Sequence, residues 1–137
     1  MRKIDNIIDT AIEFVNSREF SYDIAKAVGA TNFAIQYQTV KIDLGRQVGK
    51  TWYIARTATP KDLIISAKPS TMRTMKERVY AFNVHQIDIC NASYVKDVPV
   101  HIYDRIYIDD ASFVSKQHLQ DIYDKFAGNC NLFVLIG

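Results

Sequence analysis

The fold is constrained most by one segment of the sequence, Gly45-Arg46-Gln47-Val48-Gly49-Lys50-Thr51. It follows β-branched residues at 39–44, which predict a strand, and it precedes a short helix that must end before Pro60. Backbone N–H groups in such a loop, a Lys and a hydroxyl at a helix start together cradle phosphates and Mg²⁺. The usual pattern has its first glycine where Leu44 stands, and this chain has Gly45 one place later. The segment therefore predicts a variant phosphate-binding loop; the alternative is an ordinary glycine-containing turn with a solvated Lys50.

A second candidate site is an apolar run that ends in two carboxylates, Ile106-Tyr107-Ile108-Asp109-Asp110. In phosphoryl-transfer sites, one carboxylate at a strand tip holds the Mg²⁺ shell and a neighbour orients or deprotonates the attacking water. Such a run alone is common by chance. Ligands of open parallel sheets bind at the carboxyl ends of strands, where this run and the loop both fall. Together the two motifs predict binding and hydrolysis of a nucleotide such as ATP.

The rest of the hydrophobic pattern alternates between strands and helices, which predicts an α/β chain with a mostly parallel sheet. Strands are predicted at 39–44, 63–65, 106–110 and 132–136, with short strands within 86–103 around a turn at Asn91. Helices are predicted at 3–16, from Ser21 to Gly29, after Pro69, and from Ser112 to about Phe126. Residues 1–38 are predicted to be an N-terminal helical region, and residues 39–137 the core.

Composition excludes several classes of protein. A hydrophobic content of 48% with 23% charged residues is typical of a globular domain, and a net charge of +2 neither requires nor excludes a nucleic-acid partner. Two cysteines cannot form a disulfide framework, so Cys90 and Cys130 are predicted to be small buried hydrophobes in a reducing compartment. No membrane span or signal peptide is predicted.

Three segments resemble the ATPase domain of the large subunit of viral DNA-packaging terminases. Residues 44–51 resemble the deviant Walker A loop of that family, residues 107–112 its Walker B segment, and residues 133–137 the strand that leads into its coupling motif. The likeness covers residues 36–137. It implies a three-layer P-loop NTPase fold of the additional-strand type, in which strand 131–136 lies between strands 39–44 and 105–109.

The resemblance also implies roles for the loop residues. Gly45, Gln47, Val48 and Gly49 would surround the phosphates of ATP, and Arg46 would act as a sensor or as an arginine finger in cis. Lys50 would grip the β and γ phosphates, and Thr51 would ligate Mg²⁺. The alternative for Arg46 is a surface cation.

For the Walker B segment, the resemblance implies that Asp109 holds the metal through water and that Asp110 is the catalytic carboxylate. Asp110 stands where the family usually has Glu, which is one methylene longer. The family reads adenine with a glutamine before the loop, so Gln36 or Gln38 would contact the base through its amide. The alternative for both glutamines is a polar helix end.

The sequence thus favours Mg²⁺-dependent ATP hydrolysis by a terminase-like DNA-packaging ATPase. Its implied partners are double-stranded DNA and further copies of the chain, in the cytoplasm of a host cell. A helicase-like ATPase stimulated by nucleic acid and a non-catalytic nucleotide-binding assembly module are the alternatives. A basic segment predicts either a DNA contact or a solvated helix face: Lys68, Arg73, Lys76 and Arg78. We expect the chain to be one piece of a larger machine or a reduced relative of one, with weak hydrolysis on its own.

Overall fold

The computed structural model describes residues 3–17, 26–45, 49–82 and 86–137. The α-helices with both ends described are α1 (Lys3–Asn16), α2 (Ala30–Tyr37), α3 (Lys50–Thr57), α4 (Pro69–Phe82) and α5 (Lys116–Phe126), and residues 26–28 are also helical. The strands are β1 (Thr39–Ile42), β2 (Leu63–Ser66), β3 (Asp88–Asn91), β4 (Tyr103–Asp109) and β5 (Cys130–Ile136). Short 3₁₀ turns follow β3 at Ala92–Asp97 and β4 at Ala111–Phe113.

The strands form one five-stranded sheet in the order β1-β5-β4-β2-β3, and every pair is parallel. β2 is buried at every residue and β5 at all but one, as expected for strands that are covered on both faces. The predicted insertion of the last strand between the loop strand and the Asp109 strand is confirmed, because β5 pairs with β1 on one side and with β4 on the other. The carboxyl ends of these three strands therefore meet at one edge of the sheet.

Two hydrophobic cores lie on opposite faces of this sheet, so the predicted three-layer α/β fold is confirmed. One core joins α1, α3 and α4 to the sheet through Ile8, Ile12, Tyr53, Ile54, Met75, Ile64, Tyr107 and Val134. The other joins α2, α5 and the turn after β3 through Ala34, Val95, Ile122, Phe126, Ile65, Ile108 and Phe133. Among the described residues, no helix has the length and apolar character needed to cross a bilayer.

Helix α1 is attached to α3 by polar contacts as well as by its apolar face. Arg56 forms an ion pair and hydrogen bond with the buried carboxylate of Asp5, and the Tyr53 hydroxyl donates to Asp9 Oδ1 at 2.6 Å. Burial and this hydrogen bond to a carboxylate raise the pKa of the Tyr53 hydroxyl. These contacts tie α1 to the helix that begins at Lys50.

Two predictions of local structure were wrong. The helix predicted from Ser112 begins instead at Lys116, because the Ser115 hydroxyl caps it by accepting from His118 N at 3.1 Å. Residues 111–113 form a 3₁₀ turn. Residues 86–103 contribute β3 and the first residue of β4, with a 3₁₀ turn between them rather than a second short strand.

The turn after β3 has a local cause. Asn91 Oδ1 accepts from Ser93 N and from Ser93 Oγ, both at 2.9 Å, and thereby caps the 3₁₀ turn. The helix predicted from Ser21 falls largely on residues 21–25, which lie outside the described residues. Gly29, its predicted end, has a φ of 84° and directly precedes α2.

Candidate functional site

The meeting of strand ends creates a cleft of about 480 Å³ at the carboxyl edge of the sheet. Gly45 lines it from the β1 side, and Gly49, Lys50, Thr51 and Trp52 line it from the start of α3. The segment after β4 and helix α4 contribute further lining residues, Asp110, Ser112, Phe113 and Arg78. The loop motif and the paired carboxylates, distant in sequence, therefore share one cleft.

The ends of the loop have the backbone geometry that its glycines allow. Gly45 has a φ of 63°, and Gly49, which precedes the first residue of α3, has a φ of 115°. Such positive values strain residues that carry a Cβ atom. Asp43 Oδ1 accepts from Gly45 N at 3.0 Å and fixes the turn out of β1. Between the two glycines, the predicted loop residues Arg46, Gln47 and Val48 lie outside the described residues.

Lys50 bridges the loop to the end of β5. Its ammonium group donates to the carbonyl oxygen of Gly45 at 2.5 Å and to that of Gly137 at 2.7 Å. The Gly137 carbonyl also accepts from Leu44 N at 3.3 Å, so the loop strand and β5 are joined around this lysine. These contacts use two of the three N–H donors of the ammonium group.

Thr51 and Asp109 come together across the sheet edge. Thr51 Oγ1 donates to Asp109 Oδ2 over 3.4 Å, a long hydrogen bond between the first turn of α3 and the last residue of β4. Asp109 is only 1% exposed. Burial, followed by the charge of Asp110, raises the pKa of Asp109 to about 6, and the Thr51 hydrogen bond opposes this shift.

A row of unpartnered polar atoms extends from Asp109 across the sheet. Asp109 pairs in register with Ser66 of β2, and Ser66 pairs with Asn91 of β3. Parallel strands in register direct such partners to the same face. All three residues are buried, and Asp109 Oδ1, Ser66 Oγ and Asn91 Nδ2 have no hydrogen-bond partner among the described residues. Buried polar atoms without partners are costly, which makes this row a candidate binding feature.

Asp110 has an unusual backbone. Its φ of 52° and ψ of 45° are left-handed, and within the described ranges it is the only non-glycine residue with a positive φ. Its carbonyl oxygen accepts from Phe113 N at 2.9 Å, which closes the turn after β4. This turn brings Asp110 to the wall of the cleft. Backbone strain of this kind is frequent at functional positions.

Gln36 and Gln38 are not brought to the cleft. They lie at the amino end of β1, where Gln38 caps α2 and its carbonyl oxygen accepts from Phe133 N at 2.8 Å. The predicted phosphate-binding loop follows the carboxyl end of β1, a strand that spans about 13 Å at its observed length. Neither glutamine is among the residues that line the cleft. An adenine contact from these two residues finds no support in this placement.

Two residues that the sequence analysis did not assign to the site line the cleft, Trp52 and Arg78. The Arg78 guanidinium lies over the Trp52 ring, 4.8 Å from its centroid. The sequence contained a signal for the position of Arg78. This residue lies three places after the inward-facing Met75 and four before Phe82, so the three share one face of the helix. Lys68, another member of the basic segment, lies 4.8 Å over the Phe113 ring, whereas Arg73 and Lys76 are exposed.

The donor set suits a magnesium ion bound together with phosphates. No cluster of three or more His, Cys, Asp or Glu side chains exists in the described part of the chain. Mg²⁺ in phosphate sites takes one or two protein ligands and completes its shell with phosphate oxygens and water. The Thr51 hydroxyl and the buried, unpartnered Asp109 Oδ1 fit that requirement.

No model of a protein family matches the sequence, and no curated protein matches it either.

Proposed function

We propose that the cleft binds a nucleoside triphosphate, ATP by resemblance, together with Mg²⁺, and that the chain hydrolyses it. The observation that carries the proposal is the contact between Thr51 Oγ1 and Asp109 Oδ2, 3.4 Å apart, directly beside Lys50. This contact joins Thr51, which is predicted to ligate the metal from the loop, to Asp109, which is predicted to hold it from the end of β4. An ordinary glycine-containing turn gives no reason for this pairing.

The phosphates would be bound by the start of α3 and by Lys50. The first backbone N–H groups of a helix have no partner within the helix and carry a partial positive charge, which favours an anion at this position. Gly49 ends the loop at the helix without a side chain to block a phosphate. The Lys50 ammonium already lies between two carbonyl oxygens, so it exchanges those partners for phosphate oxygens when nucleotide binds.

Thr51 and Asp109 would hold the metal, Thr51 through its hydroxyl and Asp109 through its carboxylate and an intervening water. A bound Mg²⁺ supplies positive charge that neutralises the phosphates. Asp109 must be ionised for this role, and its pKa of about 6 leaves it largely ionised above neutral pH. Its deep burial strengthens any interaction with a cation.

Asp110 would orient or deprotonate the attacking water. Its carboxylate lines the cleft beside the residues that hold the phosphates, and the left-handed backbone directs the chain away from the sheet immediately after it. The shorter side chain of Asp, compared with Glu, requires water to approach closer to the strand tip. In-line attack on the terminal phosphate needs such positioning more than it needs covalent chemistry.

The place of this activity in a larger assembly follows from the resemblance alone. We propose a terminase-like DNA-packaging ATPase that acts with double-stranded DNA and with other copies of the chain, in the cytoplasm of a host cell. The strand order supports an ATPase of the additional-strand division, since β5 lies between β1 and β4. That division also contains helicases, so a nucleic-acid-stimulated ATPase remains the second candidate.

The test is ATP turnover by the purified chain with Mg²⁺, with and without double-stranded and single-stranded DNA. We expect slow turnover that Lys50→Ala abolishes. Stimulation by single-stranded DNA would favour the helicase-like candidate, and nucleotide binding without turnover would favour the non-catalytic module. If the chain neither binds nor hydrolyses nucleotide, the proposal is wrong.

A further inference from the structure

Arg78 is the feature of the cleft that the proposed chemistry does not use. It belongs to α4, a helix that begins after β2 and packs against α3, β2 and β3. The loop enters the cleft from β1, at the other side of the sheet order. Arg78 therefore reaches the cleft from the β2 side of the sheet order, where it contacts Trp52 in the first turn of α3.

The guanidinium of Arg78 is held by aromatic packing rather than by a carboxylate. Its Cζ atom lies 4.8 Å from the centroid of the Trp52 ring, and that ring packs edge-on against Phe82, with centroids 5.1 Å apart. Arg78 forms no ion pair with any residue that the structure describes. A cation stacked on an aromatic ring retains its N–H donors, which point along the plane of the guanidinium.

Lys50 and Arg78, the two described cationic residues that line the cleft, differ in the contacts that their charged groups make. Two of the three N–H donors of Lys50 are used by the Gly45 and Gly137 carbonyl oxygens, whereas Arg78 has an aromatic face as its contact. A planar guanidinium with unused donors suits the paired oxygens of a phosphate group. Arg78 is half-buried, which strengthens such an interaction relative to one at an exposed surface.

We propose that Arg78 is a second phosphate contact in cis, specific for the terminal phosphate of a nucleoside triphosphate. This inference rests on the proposed function. Gly49, Lys50 and Thr51 would hold the phosphate chain from the loop and the start of α3, and Arg78 would contact it from α4, in the cleft that Asp110 also lines. In the proposed function the terminal phosphate is the one attacked by water beside Asp110, and we assign Arg78 to this phosphate, which a diphosphate lacks. Trp52 is the positioning residue that holds the guanidinium.

The experiment compares binding of ADP and of the non-hydrolysable analogue adenylyl imidodiphosphate, each with Mg²⁺. Calorimetry supplies the dissociation constants. Emission from Trp52, the only tryptophan of the chain, provides a second signal, because release of Arg78 from the ring changes its surroundings. We expect the wild type to show a change in emission with the triphosphate analogue and little with ADP.

Arg78→Ala should weaken binding of the triphosphate analogue about tenfold or more and leave ADP binding within about twofold. Arg73→Ala is the matched control, since Arg73 is exposed on the same helix and does not line the cleft. Trp52→Phe should retain the discrimination between the two nucleotides, and Trp52→Leu should lose part of it. Melting temperatures of all variants show that they remain folded.

The outcomes separate this inference from the function on which it rests. If the wild type binds both nucleotides and Arg78→Ala weakens both equally or neither, Arg78 is no sensor of the terminal phosphate and the inference fails alone. If the wild type binds neither nucleotide, the proposed function and the inference fail together. Loss of discrimination in Arg73→Ala as well would assign the effect to the general charge of α4 and would also overturn the inference.

Discussion

Ser66 and Asp109 are register partners at the carboxyl ends of β2 and β4, and each keeps a buried oxygen atom that has no hydrogen-bond partner among the described residues. A buried hydroxyl without a partner costs free energy in the folded state, since it gives up its hydrogen bonds to water. The two atoms belong to the row that ends in Asn91. Because these unpartnered atoms destabilise the folded state, stability of the fold does not explain why these residues stand at this edge of the sheet.

We therefore expect Ser66→Ala to leave the free energy of unfolding unchanged or to raise it by up to about 1 kcal/mol. Thr39→Val is the matched control, because the Thr39 hydroxyl donates to Ala34 O at 2.8 Å and lies 2.7 Å from the Tyr123 hydroxyl. That variant should lose about 1–2 kcal/mol. Urea denaturation of both variants measures the difference, and a destabilised Ser66→Ala would mean that the hydroxyl has a partner in solution.

Asp109→Asn is expected to stabilise the chain without nucleotide. Folding raises the pKa of Asp109 from 3.8 to about 6, so the folded state keeps a proton that the unfolded state loses between these values. Stability then falls as pH rises from about 4 to about 6 and stays reduced above that range. The shift corresponds to about 2–3 kcal/mol, which Asp109→Asn should recover at pH 8.

The matched control is Asp62→Asn. Asp62 is also buried, but both of its carboxylate oxygens accept hydrogen bonds. Asp62 accepts from Thr59 N, from Thr59 Oγ1 and from Arg105 N, at 2.8 to 3.1 Å. We expect that variant to be destabilised at pH 8. Denaturation curves at pH 5 and pH 8 test both substitutions. If the stability of Asp109→Asn at pH 8 equals that of the wild type, Asp109 does not carry a raised pKa in the folded chain.

The architecture was predictable from sequence because it depends on apolar runs and on one loop. Leu63 to Ile65 is uniformly apolar and forms a strand buried on both faces. The place of β5 in the sheet followed from the resemblance. The start of α5 was missed by a few residues because Ser112 and Ser115 are equally good caps in sequence, and only the turn at Asp110 decides between them.

The candidate site was predictable in part. Lys50, Thr51, Asp109 and Asp110 converge because parallel strands and the helices that follow them place such residues at one sheet edge. Arg78 was assigned to a basic helix face, since charge alone does not reveal that a guanidinium packs on a ring from another helix. Side-chain contacts between elements distant in sequence depend on packing geometry, which local patterns do not specify.

Asp110→Asn should separate binding from hydrolysis. Asn tolerates the left-handed backbone at this position at least as well as Asp, so the turn after β4 should survive. An amide cannot accept a proton from water, and loss of a general base typically costs 10²- to 10⁴-fold, so turnover should fall by about that factor. Affinity for the non-hydrolysable triphosphate should change by less than about threefold.

Phosphate release measured under saturating nucleotide tests this expectation. Asp110→Glu is the informative companion, because it restores the residue that the terminase family usually has at this position. We expect it to match or exceed wild-type turnover. Unchanged turnover in Asp110→Asn would point to the non-catalytic module, in which the carboxylate has no chemical role.

Lys50→Ala tests the loop in two independent ways. Removal of the ammonium leaves the Gly45 and Gly137 carbonyl oxygens without this donor, and we expect a loss of about 1–2 kcal/mol in the free energy of unfolding. The same change should abolish stabilisation by nucleotide. A ligand at a hundred times its dissociation constant stabilises a protein by about 2.7 kcal/mol, so the wild type should melt several degrees higher with ATP and Mg²⁺.

Lys76→Ala is the control for both effects, since Lys76 is exposed on α4 and does not line the cleft. It should melt like the wild type with and without nucleotide. A Lys50→Ala chain that is destabilised and still gains the full nucleotide shift would show that Lys50 joins the loop to β5 but does not bind phosphate. The turn would then be structural, and the nucleotide would have to bind through other groups.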